Sequence, residues 1–205
     1  KKFVCGRIYS KRLTPLTLSS WLVNFLEPSH EILVLEYSMY RKDHVDKLTD
    51  LLKPQIGVFL NVKNMHLGVR GIDTLFDIQE GKAALLKKSE INLLNADDKL
   101  VEAFKRKGDL RFSLVDPKAD AFVKNEGDNM VLILNYTGQA IRFVPYIKTN
   151  LFYHQVAAAG LLGGMLGISP ELVGLAIKEF RPAEHRIQWI SIFGEQVLFD
   201  GDVTM

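Results

Sequence analysis

The chain has 205 residues, and 26 Lys and Arg against 24 Asp and Glu leave a formal net charge of +2. Hydrophobic residues make up 47% and charged residues 24%, an ordinary globular composition with ample material for a core. This excludes a disordered tail, a collagen and a coiled coil, and the near-balanced charge argues against a dedicated nucleic-acid binder. The single cysteine, Cys5, excludes a disulfide framework and a cysteine-based zinc site. Beside Lys2-Phe3-Val4 it reads as a small buried hydrophobe. The longest apolar run, Val156 to Ile168, is shorter than the roughly 20 residues a bilayer span needs and reads as a buried helix. With no signal peptide at the start, the expectation is a cytoplasmic protein without a membrane span. Both ends fall beside strand-like runs with little slack, which predicts a piece of a longer protein.

In chain order, the first half alternates apolar strands with amphipathic stretches. Glu31 to Glu36, Ile56 to Asn61 and Ile91 to Asn95 read as strands. Between them Val45, Leu48, Leu51 and Leu52 form one helical stripe, and Leu75, Ile78, Lys82 and Leu85 form another. Such alternation predicts βαβ units, hence an α/β fold with a mostly parallel sheet flanked by helices. Ala96 to Lys107 reads as a further helix, closed by Gly108. Residues 110–146 then change texture: four short strands separated by Asp116-Pro117, Gly127-Asp128-Asn129 and Thr137-Gly138 predict a small antiparallel insertion. Asn150 to Gly167 is helical, Ser169-Pro170-Glu171 opens another helix, and 187–199 closes as a hairpin turning at Gly194-Glu195.

Three residues fall at strand or helix ends on one side of that sheet. Glu36 ends the first strong strand, His66 follows the second by a short loop, and Lys82 lies in the next helix. Ligands of open α/β sheets gather outside the carboxyl ends of the strands. A carboxylate and an imidazole there can share a hard cation bound to phosphate oxygens. A lysine can position phosphate or, as a carbamate, add an anionic oxygen. Taken singly, each residue has an ordinary reading, as a cap, a solvated imidazole or a surface lysine.

Their order and context go further. Gly6 to Leu18, with Thr14-Pro15-Leu16-Thr17-Leu18, resembles the "G-x-x-N-x-x-x-G-x-P-x-T-L" stretch of the Mur ligase central domain, and Leu33-Val34-Leu35-Glu36 resembles the strand that follows it. Asn61 to His66-Leu67 is similar to its "N-x-x-x-x-H-L" loop, Glu80-Gly81-Lys82 to its "A-K" helix, and Leu93 to Asp98 to its "L-N-x-D-D" run. Lys53 to Val58, Ala157-Ala158 with Gly167, Phe180 to Arg186 and Val197 to Asp200 continue the series, so the resemblance covers nearly all of residues 1–205. It is most similar to the branch that adds D-Ala-D-Ala to a UDP-muramoyl tripeptide.

The resemblance implies a central ATP-binding domain of an ATP-dependent carboxylate-amine ligase acting through an acyl phosphate in peptidoglycan precursor synthesis. Its partners would be ATP and a UDP-muramoyl-peptide-like substrate, with no nucleic acid. It implies Mg2+ held by Glu36, His66 and Lys82, with His66 and a carbamylated Lys82 in catalytic roles, and Asn95, Arg186 and Asp200 near the nucleotide. Several features depart from the pattern. The phosphate loop is expected before residue 1, and a C-terminal domain after residue 205. Tyr9-Ser10 replace an Asn pair, His154 stands where the family has Asn, and the linker reads Asp200-Gly201-Asp202-Val203-Thr204. Two rival readings therefore stand beside the first: a non-catalytic binding module on the same fold, and a folylpolyglutamate- or cyanophycin-type ligase.

Overall fold

The computed structural model of the chain describes residues 3–8, 13–64, 67–182 and 188–199. Its centre is a six-stranded sheet in simple sequential order: β3 (Ile56–Phe59), β4 (Ile91–Asn95), β5 (Leu110–Ser113), β6 (Ala121–Glu126), β7 (Asn129–Leu134) and β8 (Gln139–Phe143). Strands β3 to β6 run parallel. At β7 the direction reverses, and β6, β7 and β8 pair antiparallel. A separate parallel pair joins β1 (Cys5–Arg7) to β2 (Ile32–Val34), and β9 (Gln188–Ile192) with β10 (Glu195–Phe199) forms an antiparallel hairpin.

Helices cover both faces of the main sheet, as continuous apolar strands demand. Leu93 and Leu94 are neighbours on β4 and both fully buried, yet they enter different cores. On the Leu93 side the sheet packs against α5 (Asn150–Met165) and α6 (Pro170–Glu179). On the Leu94 side lie α2 (His44–Leu51), α3 (Leu75–Lys88) and α4 (Lys99–Glu102). A smaller core forms where Leu18 of α1 (Pro15–Phe25) meets Leu48 of α2. Helix starts follow capping chemistry: Thr14 and Thr74 form capping boxes, and Thr149 and Ser169 accept from the first turns of α5 and α6. Gly160 lets α5 settle onto β7, because a Cβ there would collide with Leu132.

The α/β class holds, and several details differ from the sequence expectation. The 110–146 segment is continuous with the parallel sheet: β5 pairs parallel with both β4 and β6, and only β6–β8 form a meander. The helix expected over 96–107 shrinks to Lys99–Glu102. Asp97 and Asp98 spend their carboxylates on backbone N–H groups, and after Glu102 the bonds tighten to the i−3 pattern at Phe104 and Lys105. Cys5 is exposed, because β1 pairs on one side only and its alternate residues face outward. The last hairpin turns one residue early, at Phe193-Gly194, both with positive φ (51° and 87°) as a two-residue hairpin turn requires. Among the described residues no helix is long and apolar enough to cross a membrane.

Candidate functional site

Strands β3, β4 and β5 end on the same edge of the sheet, and three chain segments leave there: 60–62 after β3, 96–98 after β4 and 114–116 after β5. Lys82 reaches this edge from α3. Its Nζ donates to the Asn61 carbonyl at 3.3 Å, so the side chain turns toward the loop that leads to His66. Burial pushes the Lys82 amine below its ordinary value, with the attraction of Asp98 working in the opposite direction. The approach depends on Gly81. A Cβ at that position would sit 2.9 Å from the Lys42 carbonyl oxygen and 2.5 Å from the Met39 sulfur, so α3 and the 39–42 loop touch backbone to backbone just before Lys82.

Asn95, the last residue of β4, is 4% exposed, and its amide is taken up by backbone. Its Nδ2 donates to the Leu60 carbonyl at 2.8 Å, and its Oδ1 accepts from the Asp97 N–H at 3.0 Å. Further along the same turn, Asp98 Oδ2 accepts from the Val62 N–H at 2.9 Å, while Oδ1 accepts from Leu100 and Val101 at the start of α4. Three consecutive residues of the β3 exit are thus held by three side chains from two other parts of the chain.

Asp97 turns to the other side. It accepts from the Ser113 hydroxyl, from the Leu114 N–H at 2.7 Å, and pairs with His154 Nε2 of α5 at 2.9 Å. Burial alone would raise the Asp97 carboxyl. The bonds from Ser113, Leu114 and His154 outweigh it and hold the group below its usual value. The edge of the His154 ring also faces Phe112, with centroids 6.5 Å apart. The sequence marked His154 only as a departure from a pattern, and Asp97-Asp98 as part of an L-N-x-D-D run. The signal that identifies the Asp pair is three hydrogen-bonding side chains within four residues, Asn95 to Asp98, at the carboxyl end of a buried strand.

The residues expected from sequence fall into three groups. Lys82 and Asn95 meet the same loop, one through Asn61 and the other through Leu60. Glu36 lies two residues past β2, exposed, and shares no hydrogen bond or ion pair with them among the described residues. His66, Arg186 and Asp200 lie outside the described residues. Among the described residues no three His, Cys, Asp or Glu side chains form a group that could hold a metal. A hard cation here would draw its donors from the exposed Glu36 carboxylate, from His66 and from Lys82, which offers an oxygen only as a carbamate. The burial that disfavours a charged Lys82 favours the neutral amine that carbamate formation needs.

The profile of the family described as the Mur ligase middle domain matches residues 5–152. Among curated proteins the chain is similar to UDP-N-acetylmuramoylalanine--D-glutamate ligase of Bacillus mycoides, 24% identical over 186 residues that cover 85% of this chain and 38% of the relative. Among solved structures it is similar to MurF from Acinetobacter baumannii, with a TM-score of 0.82 at 15% identity over 97% of this chain and 45% of that one. It is also similar to MurF ligase from Thermotoga maritima in complex with ADP, with a TM-score of 0.79 at 20% identity over 97% and 47%. The chain therefore spans less than half the length of the proteins it matches. With the profile covering most of its length and the parallel sheet edge arranged as described, the chain belongs to the Mur ligase middle-domain family.

Proposed function

We propose that the chain is the ATP-binding central part of a cytoplasmic ligase that joins a carboxylate to an amine during peptidoglycan precursor synthesis, the amine donor being D-Ala-D-Ala and the acceptor a UDP-muramoyl tripeptide. The observation that carries this reading is Lys82, a partly buried amine aimed from α3 at the carbonyl of Asn61, on the loop to His66. In the reaction, an oxygen of the substrate carboxylate attacks the γ-phosphorus of ATP, and ADP leaves with the electrons of the broken P–O bond. The amine then attacks the acyl-phosphate carbon, inorganic phosphate departs, and the amine proton passes to a base. Such chemistry rests on positioning and on neutralising the charge that spreads over the phosphoryl oxygens.

The roles are those the family resemblance implies. Lys82 supplies positive charge or, as a carbamate, an anionic oxygen. Glu36, His66 and Lys82 would hold a magnesium ion, which when bound neutralises the phosphate oxygens. Arg186 and Asp200 are assigned to the nucleotide. Asn95 serves the same end by bracing the loop after β3, since its amide is already engaged by backbone. The MurF ligase of Thermotoga maritima, solved in complex with ADP, supports a nucleotide in this fold.

The test uses the full-length parent protein with ATP, a UDP-muramoyl tripeptide and D-Ala-D-Ala, measuring ADP release. Turnover that depends on both substrates and falls at least about 100-fold in Lys82→Met is the expected result. Undiminished turnover in that variant sinks the assignment. One observation favours a second reading, a binding module without catalysis: His154 stands where the family has Asn and is engaged by Asp97. On that reading the parent protein shows no substrate-dependent ADP release at all.

A further inference from the structure

We infer that Asp98 is a positioning residue of the candidate site, a clip that fixes the loop after β3 and through it the placement of Lys82 against Asn61 and the start of the run to His66. This rests on the reading above, in which Lys82 and His66 serve phosphate chemistry. The loop 60–62 presents three polar backbone groups in a row, and each has a different side-chain partner. Asn95 Nδ2 takes the Leu60 carbonyl at 2.8 Å, Lys82 Nζ takes the Asn61 carbonyl at 3.3 Å, and Asp98 Oδ2 takes the Val62 N–H at 2.9 Å. Asn95 and Asp98 come from the β4 side and Lys82 from α3, so the loop is gripped from two sides. Asp98 is the only one of the three that takes an N–H of this loop, a contact that no lysine or amide nitrogen can replace.

The ordinary account of Asp98 is a helix cap, because Oδ1 accepts from Leu100 at 2.9 Å and Val101 at 3.4 Å. That leaves Oδ2 unexplained. The helix it caps has only four residues, Lys99–Glu102, and a single oxygen serves both N–H groups that the side chain caps. The second oxygen goes 36 residues back in sequence, to Val62. The neighbouring Asp97 behaves in parallel and points the opposite way, to Leu114 and His154. The turn after β4 therefore ties down the exits of both flanking strands, with Asp98 assigned to the side that holds Lys82.

Serine separates the two roles. Asp98→Ser keeps an oxygen that caps a helix start as well as Asp does, and it is too short to reach Val62 as well. Amide hydrogen exchange and 13C NMR of the 205-residue chain read the outcome. The expected result is exchange at Val62 faster by about tenfold, exchange at Leu100 and Val101 within about twofold of the parent, and a displaced Lys82 13Cε resonance. Unchanged Val62 exchange, or faster exchange at Leu100 and Val101 alone, overturns the clip and leaves Asp98 a cap. Asp98→Asn is the second variant: its Nδ2 cannot accept, so one of the two amide sets must lose protection, and protection retained at both also overturns the clip. If Val62 is released but Lys82→Met leaves ADP release by the parent protein intact, the clip stands and the functional reading fails.

Discussion

At the scale of single residues, the sheet edge is organised by side chains that serve backbone atoms. Asp97 has Ser113, the Leu114 N–H and His154 all directed at its carboxylate. These bonds hold the group below its ordinary value despite burial. The folded state therefore binds fewer protons here than the unfolded chain does, so the stabilisation is fully present above the usual carboxylate range. It is lost as pH falls through the lowered value. Asp97→Asn removes that contribution. Urea unfolding followed across about pH 3 to 7 should show lower stability at neutral pH and a shallower loss on acidification than in the parent chain. Position beside the strand ends brought Lys82 into consideration, whereas Asn95 and the Asp pair entered through the resemblance of Leu93 to Asp98 to a family motif. The sequence could not show which distant backbone atoms they meet, since those partners lie 17 to 36 residues away.

At the scale of elements, periodicity was most legible where both faces of a strand or one face of a helix are buried. Strands β3 and β4 and helices α2, α3, α5 and α6 follow directly from their apolar spacing. Strand β5 also reads plainly as a strand, but its direction does not: Arg111-Phe112-Ser113 has the same pattern whether it pairs parallel or antiparallel, and only the crossover through α4 sets it parallel. The segment 96–107 carries a helical composition that its side chains override, because Asp97 and Asp98 are worth more bound to neighbouring loops than exposed on a helix. Packing between elements adds a constraint that composition hides. Helix α5 is rich in Ala and Gly, and Gly160 sits where a methyl group would overlap Leu132 of β7. Gly160→Ala removes a helix-weakening glycine, worth about 1 kcal/mol in its favour, yet forces α5 off the sheet. The expected net is a loss of about 1–2 kcal/mol in denaturant unfolding, and a gain would show that the helix can shift freely.

At the scale of the whole molecule, stability is graded from the middle of the sheet outward. Leu93, Leu94, Phe112, Ala121 and Leu132 are fully buried on strands β4 to β7, between helices on both faces. The described side chains of the terminal hairpin, 191–197, are all exposed, and β1 and β2 form a two-stranded pair with Val4 and Val34 open to solvent. Native-state hydrogen exchange should therefore rank β4 and β5 amides slowest and the β9–β10 hairpin fastest, with β1–β2 between them. Equal protection in the hairpin and the central strands would contradict that order. The α/β class was legible at this scale because alternation of apolar strands and amphipathic helices leaves few other topologies.

Strand β6 has a further consequence for the edge where the candidate site lies. Its last pairing with β5 is at Phe122, opposite Ser113, yet the strand continues to Glu126 in partnership with β7. Its extra residues, 123–126, at about 3.3 Å each carry the β6–β7 turn roughly 13 Å beyond the end of β5. The turn, Gly127-Asp128, is exposed and stands as a parapet on one side of the rim. Val123 and Met130 at its base are buried in the core, whereas Asn125 and 127–129 at its tip are exposed, so the tip can be raised or trimmed without touching the strands that carry the Lys82 loop. Asp128 at its tip is a natural attachment point for a fluorophore that would watch molecules arrive at the edge from above.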